Sequence, residues 1–434
     1  MPLVDAAEAA PTPHNRWLIA AAAFCMQLAL GSVYGWSVLL DPLAELHGAA
    51  RGEVGLTFTI TLAVVGATAG FGGLLHDRHG PRAVATVAGL LYGAGVMLSG
   101  FATGVQGLYL AHGALGGIGL GLGYVVPLAM LIRWFPDRRG SITGIAAAGF
   151  GLGASLAGPV AAWAIGAAGA RAALVGLGGA YLVLATGAAQ MFRAAPEGYA
   201  PPGWTPAVAA ARGRPAPARA ERRRDWSLAE ALRSPRWWLL WSILALNVTA
   251  GAALLSVAAP LARELTGADA AAAALFVGAL SVSNGIGRIL WGAVSDSVGR
   301  APALFGMFAL QAFAFAALAR AGDPAALLVP AAVVATCFGG GFAVMPAFAA
   351  DVFGPRNAGT VYGAMLTAWS AGAIAGPVLM ASVPYRTALL AIAVGAAAAA
   401  ALPVVAWAVE RRGAAAAAAE DDGPARGPQA QPVR

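Results

Sequence analysis

Long apolar stretches separated by short polar segments make up most of the chain. Each stretch runs for about 20 residues, the length that an α-helix needs to cross the hydrocarbon core of a bilayer. The pattern predicts helices at residues 17–40, 54–75, 83–101, 107–132, 141–166, 171–192, 236–259, 272–295, 302–319, 325–350, 358–383 and 386–409. The chain is therefore predicted to be an all-α membrane protein with twelve transmembrane helices.

The composition supports a membrane protein. The 434 residues are 59% hydrophobic and 11% charged, with a mean hydropathy of +0.71. Soluble domains carry about 25% charged residues, so a soluble globular domain is excluded. Cys25 and Cys337 lie inside apolar stretches, where free buried thiols are expected rather than a disulfide. No cluster of His, Cys, Asp and Glu falls at membrane depth, so we expect neither a metal nor a cofactor, and no enzymatic activity.

The basic residues are distributed asymmetrically between the predicted helices. All 27 are arginines, and the net charge is +7. Twenty-one of them fall on the side of the two chain ends and five on the other side. Such an excess marks the cytoplasmic side, so both termini are predicted to be cytoplasmic. Because these arginines lie between the helices, we expect no nucleic-acid partner. We expect a monomer in a lipid bilayer, namely the inner (plasma) membrane of a bacterium.

An internal repeat organises the chain. Gly73, Asp77 and Gly80 recur 219 residues later as Gly292, Asp296 and Gly299. A six-helix unit repeated in parallel is typical of transporters whose site lies between two halves.

The repeat and the polar segments together predict five regions. They are a cytoplasmic N-terminal tail (1–15), a six-helix bundle (16–193), an Arg/Pro-rich cytoplasmic linker (194–235), a second six-helix bundle (236–410) and a disordered cytoplasmic tail (411–434). Within the linker, residues 225–232 (DWSLAEAL) could form a short interfacial helix with Trp226, Leu228 and Leu232 toward lipid, or remain a solvated linker.

Arg288 is the most unusual residue in the predicted helices. It lies in the apolar stretch SVSNGIGRILWGAVSDSVGR, 8 residues before Asp296, which places it about 12 Å from the helix end. An ionised side chain at such depth costs at least about 2.5–3.5 kcal/mol, so it usually faces a polar cavity or a partner. The alternative is a salt bridge that only holds helices together. No Asp or Glu lies at comparable depth in the other predicted helices, which favours a binding role.

The loop GLLHDRHGPR after the second helix, with its partial copy GAVSDSVGR after the eighth, resembles the signature loop of the major facilitator superfamily. The resemblance covers residues 16–410 and implies the major facilitator fold, with two pseudo-repeated six-helix bundles. It also implies that this loop acts as a conformational latch. The gating residues expected on this basis are Gly73, Asp77, Arg78, Gly80, Arg82, Asp296 and Arg300.

Four further segments resemble the oxalate/formate antiporter family and the related monocarboxylate transporters. They are GSVYGWSVLLDPL, GLGYVVPLAMLIRWFPDRRGSITG, WSLAEALRSPRWWLLW and SNGIGR. The resemblance implies that Arg288 binds the substrate carboxylate. Members that carry oxalate have a lysine in the eleventh helix, where this chain has Trp369.

The single positive charge of Arg288 limits the class of substrate that we expect. A dianion against a single guanidinium would leave one negative charge unpaired in a low-dielectric site. We therefore predict transport of a small monocarboxylate such as lactate, pyruvate or formate, rather than oxalate. Proton-linked relatives have an aspartate where this chain has Asn284, which cannot titrate. Exchange against a counter-substrate and symport with a proton carried elsewhere both remain open.

Aromatic side chains are expected to wall the binding site beside Arg288 and Asn284. Any one of them taken alone could instead serve packing or face lipid. The candidates are Tyr34, Tyr124, Phe150, Phe338, Phe342 and Trp369. Two other classes of function are compatible with the pattern: a carrier of the same architecture for a sugar or a drug, and a membrane sensor that does not transport.

Overall fold

The computed structural model describes residues 15–204, 225–267 and 269–408. The first half of the chain forms six membrane helices. They are α1 (Arg16–His47), α2 (Arg51–His79), α3 (Pro81–Ser99), α4 (Val105–Trp134), α5 (139–168) and α6 (170–190). The second half repeats this arrangement with α7 (Pro235–Ser256), α8 (Ala270–Val298), α9 (Arg300–Leu318), α10 (Pro324–Phe353), α11 (Ala358–Ser382) and α12 (Tyr385–Ala408).

Length and apolar composition qualify ten continuous helices of the described residues as membrane spans. One of them, Arg139–Gln190, has 52 residues and breaks at Gly169, whose φ of 80° is outside the helical range. It therefore supplies two spans, α5 and α6, as the sequence predicted. With the 29-residue α8, the described chain has the twelve expected helices.

Some predicted helix ends were wrong. The first helix does not end at residue 40 but passes through a 3₁₀ segment, Ser32–Leu39, and continues to His47. The seventh does not reach residue 259, because the backbone leaves the helical conformation at Val257 and a separate helix, Ala258–Thr266, follows. Hydrophobic length predicts the helices, but local backbone changes inside an apolar stretch leave no comparable signal.

Glycines let the two bundles approach along two seams. In one seam α2 packs on α11, and a methyl group on Gly73 would overlap the backbone of Gly359. In the other α8 packs on α5, and a methyl group on Gly292 would overlap the backbone of Gly140. The two pairs are equivalent, since 219 residues separate Gly73 from Gly292 and Gly140 from Gly359. The repeat seen in the sequence is therefore also a repeat of packing contacts.

The loops after α2, α4, α8 and α10 meet on one face, which we call the arginine-rich face. Arg16 at the start of α1 binds Asp137 of the α4–α5 loop, with 2.7 Å between Nη1 and Oδ1. Arg133 at the end of α4 donates to the backbone carbonyls of Pro355 and Arg356 in the α10–α11 loop. The first contact lies within the first bundle, whereas the second joins the two bundles at this face.

Residues 225–233, at the described end of the linker, agree only in part with the interfacial helix that the sequence left open. The short helix spans Leu228–Arg233, and Leu232 is exposed, but Trp226 does not point to lipid. Its ring packs against Phe353 of α10 at 5.7 Å between centroids. The predicted tails, residues 1–14 of the first and 411–434 of the last, and linker residues 205–224 lie outside the described residues.

Candidate functional site

Arg288 lies in the middle of α8 and is 1% exposed. Glycines of two neighbouring helices make room for it. A methyl group on Gly144 of α5 would overlap the Arg288 carbonyl, and one on Gly339 of α10 would come within 3.1 Å of the Arg288 Cγ. The side chain is therefore held between α5 of the first bundle and α10 of the second.

The internal repeat is broken at this position. The residue equivalent to Arg288 in the first bundle, 219 residues earlier, is Ala69 of α2. Gly363 of α11 packs on the Ala69 carbonyl. The equivalent contact in the other seam joins Gly144 to the Arg288 carbonyl. At these equivalent contacts the side chain is the methyl group of Ala69 in one seam and the guanidinium of Arg288 in the other. A single bundle therefore supplies the charge.

The guanidinium has few polar partners. Its Nε donates to Asn284 Oδ1 at 3.1 Å, and its Nη1 lies 3.5 Å from the Tyr124 hydroxyl. Across the described ranges, no carboxylate lies within 4.0 Å of its nitrogens. Asn284 is buried beside it and, as an amide, offsets part of the positive charge without neutralising it.

Aromatic rings enclose the guanidinium. Its Cζ lies 5.7 Å from the centroid of Phe150 and 5.1 Å from that of Phe342. Trp369 completes the enclosure, with its ring 5.3 Å from Tyr124, 5.8 Å from Phe150 and 5.1 Å from Phe342. We call Tyr124, Phe150, Phe342 and Trp369 the aromatic cage. The cage draws on α4, α5, α10 and α11, so both bundles contribute to it.

The two remaining aromatic candidates each pack on one ring of the cage. Tyr34 of α1 packs on Phe150 at 5.5 Å between centroids. Phe338 packs on Phe342 at 5.4 Å, but its own ring fits against Gly251 of α7. The structure therefore brings Tyr34 to the edge of the cage, whereas Phe338 serves the contact between α7 and α10.

Sequence reasoning missed Tyr362. This α11 residue is 1% exposed, and its hydroxyl has no hydrogen-bond partner among the described residues. It faces Tyr124 and Arg288 closely enough to interact with both electrostatically. The spacing of seven residues to Trp369 places both on one face of a helix, which is the signal that could have found it.

Two of the expected gating residues, Asp77 and Asp296, make equivalent contacts between the bundles at the arginine-rich face, and we call this pair of contacts the latch. Asp77 at the end of α2 accepts from the Thr360 backbone N–H at 2.9 Å and from its hydroxyl at 2.7 Å. Asp296 at the end of α8 accepts from the Ser141 N–H and hydroxyl, both at 2.6 Å. Each carboxylate therefore binds the start of a helix in the opposite bundle, where backbone N–H groups favour negative charge.

Additional charges reinforce the Asp296 contact. Arg300 donates to Asp296 at 2.7 Å and to Asp351 at 3.0 Å, and Arg139 from the other bundle binds the same Asp351 at 2.7 Å. On the other side Arg133 lies 3.6 Å from Asp77. Sequence reasoning did not single out Arg133, Arg139 or Asp351 for the latch.

Four of the expected gating residues occupy less central positions. Gly80, with a φ of 81°, makes the turn between α2 and α3, and Gly73 sits in the seam. Arg82 hydrogen-bonds to Gln190 of α6 within its own bundle. Arg78 is exposed and forms no ion pair with any residue of the described chain. The arginine that approaches Asp77 is Arg133, from α4 of the same bundle, and it also donates to the α10–α11 loop of the second bundle.

The sequence and the fold both identify the family. The model of the Major Facilitator Superfamily matches residues 17–377 and 242–429, and the chain belongs to this superfamily of membrane transporters. The resemblance noted from the signature loop is thereby confirmed.

Three known proteins are informative about its place in the family. The chain is 28% identical to the oxalate:formate antiporter of Oxalobacter formigenes over 393 residues, covering 88% of each chain. It is 34% identical to monocarboxylate transporter 11 of Mus musculus over 169 residues, 39% of this chain and 38% of that one. The crystal structure of the human organic anion transporter MFSD10 (TETRAN) superimposes with a TM-score of 0.68 at 14% identity, covering 90% of this chain and 99% of that chain. The structural match supports the fold.

Proposed function

We propose that this transporter moves a small organic monocarboxylate, such as lactate, pyruvate or formate, with Arg288 as the ligand of the carboxylate. The observation that carries the proposal is the buried guanidinium, which has no carboxylate within 4.0 Å among the described residues. The names of the relatives, an oxalate:formate antiporter and a monocarboxylate transporter, are consistent with a carboxylate substrate.

The electrostatics of the cage favour an anion. Burying an isolated ion costs several kcal/mol even after relaxation. Asn284 and two aromatic faces offset part of this cost, since a cation over an aromatic ring gains roughly 2 kcal/mol when desolvated. A bound carboxylate would supply the missing negative charge in the fork geometry that guanidinium prefers. A neutral sugar would leave the charge unbalanced.

Charge matching favours a monoanion over oxalate. The described residues that surround Arg288 include no second cation, and Trp369 stands where the family resemblance places a lysine in oxalate carriers. A dianion would keep one charge unpaired, at a cost of several kcal/mol. Since about 1.4 kcal/mol corresponds to a factor of ten, a monocarboxylate should bind at least tenfold more tightly than oxalate.

Competition in proteoliposomes tests this preference. Purified protein is loaded with an unlabelled monocarboxylate, and uptake of labelled lactate, pyruvate and formate is measured in turn with oxalate as competitor. We expect oxalate to compete at least tenfold more weakly than the best monocarboxylate. Oxalate competing better than every monocarboxylate would refute the charge-matching argument, and uptake that survives Arg288→Ala would refute a carboxylate carrier.

Alternating access would use the two seams and the latch. With the arginine-rich face in the cytoplasm, Asp77 and Asp296 would hold the inner side closed while the cage is reached from outside. Rocking of the bundles would break their contacts with Thr360 and Ser141. The glycine seams would permit this rocking motion because few side chains interlock across them.

The coupling mode follows from a separate measurement. Among the described residues, the side chains that contact Arg288 include no acid and no histidine, so the cage offers no proton acceptor in the physiological range. Exchange against an internal monocarboxylate should therefore be fast without a pH gradient. If a proton gradient alone drives accumulation, a titrating group elsewhere in the protein must carry the proton.

A further inference from the structure

Tyr362 presents a buried hydroxyl without a partner beside the cage. The hydroxyl is sealed from solvent and lies outside hydrogen-bond geometry with every described residue, its electrostatic neighbour Tyr124 included. A buried polar group left unpaired costs about 1–3 kcal/mol, and native proteins rarely keep one without a reason. Its neighbours Tyr124 and Arg288 are the groups on which the carboxylate site is built.

The missing partner has the hydrogen-bonding capacity of a carboxylate. An ionised carboxylate offers about four lone-pair positions, and a guanidinium fork fills two of them. The Nε of Arg288 is already used by Asn284, which leaves Nη1 and Nη2 for the fork. Two phenolic donors, Tyr124 and Tyr362, then match the two positions that remain.

We propose that Tyr362 donates a hydrogen bond to the substrate carboxylate and, with Tyr124, completes its coordination by Arg288. This inference rests on the proposed function, because it assumes that the substrate bears a carboxylate. A carboxylate held by Arg288 and both phenols would have no free lone-pair position, and the rings of Phe150, Phe342 and Trp369 would leave a second carboxylate without a charged partner.

Tyr362→Phe tests the assignment because it removes a single oxygen and keeps the ring. Binding of the transported monocarboxylate is measured by the ligand-induced shift in thermal midpoint and by half-saturation of exchange. A hydrogen bond to a charged group is worth enough for affinity to fall about tenfold to hundredfold. The unliganded midpoint should stay unchanged or rise, because an unpaired group is removed. The matched control is Tyr92→Phe, whose hydroxyl already pairs with Ser32 at 2.8 Å inside the first bundle.

The outcomes separate the two claims. If wild-type protein binds no monocarboxylate, the proposed function fails whatever Tyr362 does. If wild-type protein binds one and Tyr362→Phe binds it equally well, the inference about Tyr362 alone is overturned. A loss of affinity in Tyr362→Phe but not in Tyr92→Phe supports it.

A second inference concerns the segment before α7, which the carboxylate site does not explain. Residues 225–233 dock on the α10–α11 loop. The Trp226 backbone N–H donates to the Phe353 carbonyl at 2.9 Å, and Asn357 donates to the Trp226 carbonyl at 2.8 Å. Asp225 accepts from the Arg356 N–H at 3.0 Å. We call residues 225–233 the clasp.

The same loop carries the partners of the latch on its other side. Arg133 from the first bundle donates to the carbonyls of Pro355 and Arg356, and Asp77 binds Thr360 at the start of α11. The loop begins at Gly354 with a φ of 90°, and a methyl group there would overlap Asp225. The clasp and the first bundle therefore both form hydrogen bonds with this short loop.

We infer that the clasp holds this loop in the shape that Arg133 and Asp77 recognise, and so stabilises the state closed at the arginine-rich face. A loop that is already ordered loses less conformational entropy when the bundles come together. The clasp is itself rigid, because Ser227 and Glu230 cap its short helix reciprocally. Its hydrogen bonds and ring contact described above are with the second bundle, so it would move with that bundle when the latch opens.

Cysteine labelling tests the clasp without reference to any substrate. Ile132 at the end of α4 is buried against Ala350 and Ala358 of the second bundle, so Ile132→Cys reports opening between the bundles. Cys25 and Cys337 are first replaced by alanine. In this background Trp226→Ala should raise the rate of maleimide labelling several-fold.

Two further variants serve as the negative and the positive control for the labelling rate. Trp163→Ala removes an exposed tryptophan of α5 that is not part of the clasp or the loop, and it should leave the labelling rate unchanged. Asp77→Asn weakens the latch directly and sets the upper limit. Equal labelling rates in Trp226→Ala and wild-type backgrounds would overturn the role of the clasp.

Discussion

Replacing Arg288 by methionine distinguishes a ligand-binding guanidinium from one that only holds helices together. Methionine fills irregular space and brings no charge. In the wild-type protein the guanidinium is 1% exposed and has one hydrogen bond of ordinary length, to Asn284 at 3.1 Å. Because burying an ion costs several kcal/mol and each aromatic face returns only part of this, roughly 2 kcal/mol, we expect the unliganded variant to be as stable as the wild type or more stable.

Substrate binding should be lost in the same variant. Two hydrogen bonds from the fork to a carboxylate are worth about 1.5–3 kcal/mol each. Their removal corresponds to a loss of affinity of about 10² to 10⁴. Arg288→Lys keeps the charge but not the fork or the bond from Nε, so its affinity should lie between those of the wild type and Arg288→Met.

Thermal unfolding in detergent, with and without monocarboxylate, measures both effects. The matched control is Arg82→Met, which removes an exposed arginine bound to Gln190 within the first bundle. The reasoning is refuted if unliganded Arg288→Met unfolds at a clearly lower temperature than Arg82→Met while its midpoint still rises with substrate. The guanidinium would then be a structural element, and the binding site would lie elsewhere.

Two further predictions concern closure and pH. Gly73→Ala should prevent the α2–α11 seam from closing on Gly359 and raise labelling in the assay used for the clasp, whereas Gly176→Ala, with open space around it, should not. Burial by itself would raise the pKa of Asp137, but hydrogen bonds from arginines, Arg16 among them, outweigh it and lower that pKa. This stability is present above the ordinary carboxyl pKa of about 3.9 and lost as pH falls through the lowered pKa. The difference in thermal midpoint between wild type and Asp137→Asn should therefore vanish on strong acidification.

Local sequence determines the helices but not their partners. A span is predictable because each apolar stretch must satisfy its own backbone hydrogen bonds in lipid. The 219-residue repeat likewise anticipated that Asp77 and Asp296 would play equivalent parts, and their contacts with Thr360 and Ser141 are equivalent. What the repeat could not show is which arginine joins each contact. Arg78 adjoins Asp77 in the chain, yet Arg133 is the one that approaches it.

The sequence by itself determined the class of fold, the doubling of the six-helix unit and the position of one charge at membrane depth, because hydrophobic length, periodic recurrence and the cost of a buried ion are properties of the chain. Only the tertiary structure decided what surrounds that charge. The rings of Phe150 and Phe342, the hydroxyl of Tyr362 and the absence of a carboxylate among the described residues near Arg288 depend on how helices from both bundles cross. Such contacts join residues far apart in sequence, so no local pattern encodes them.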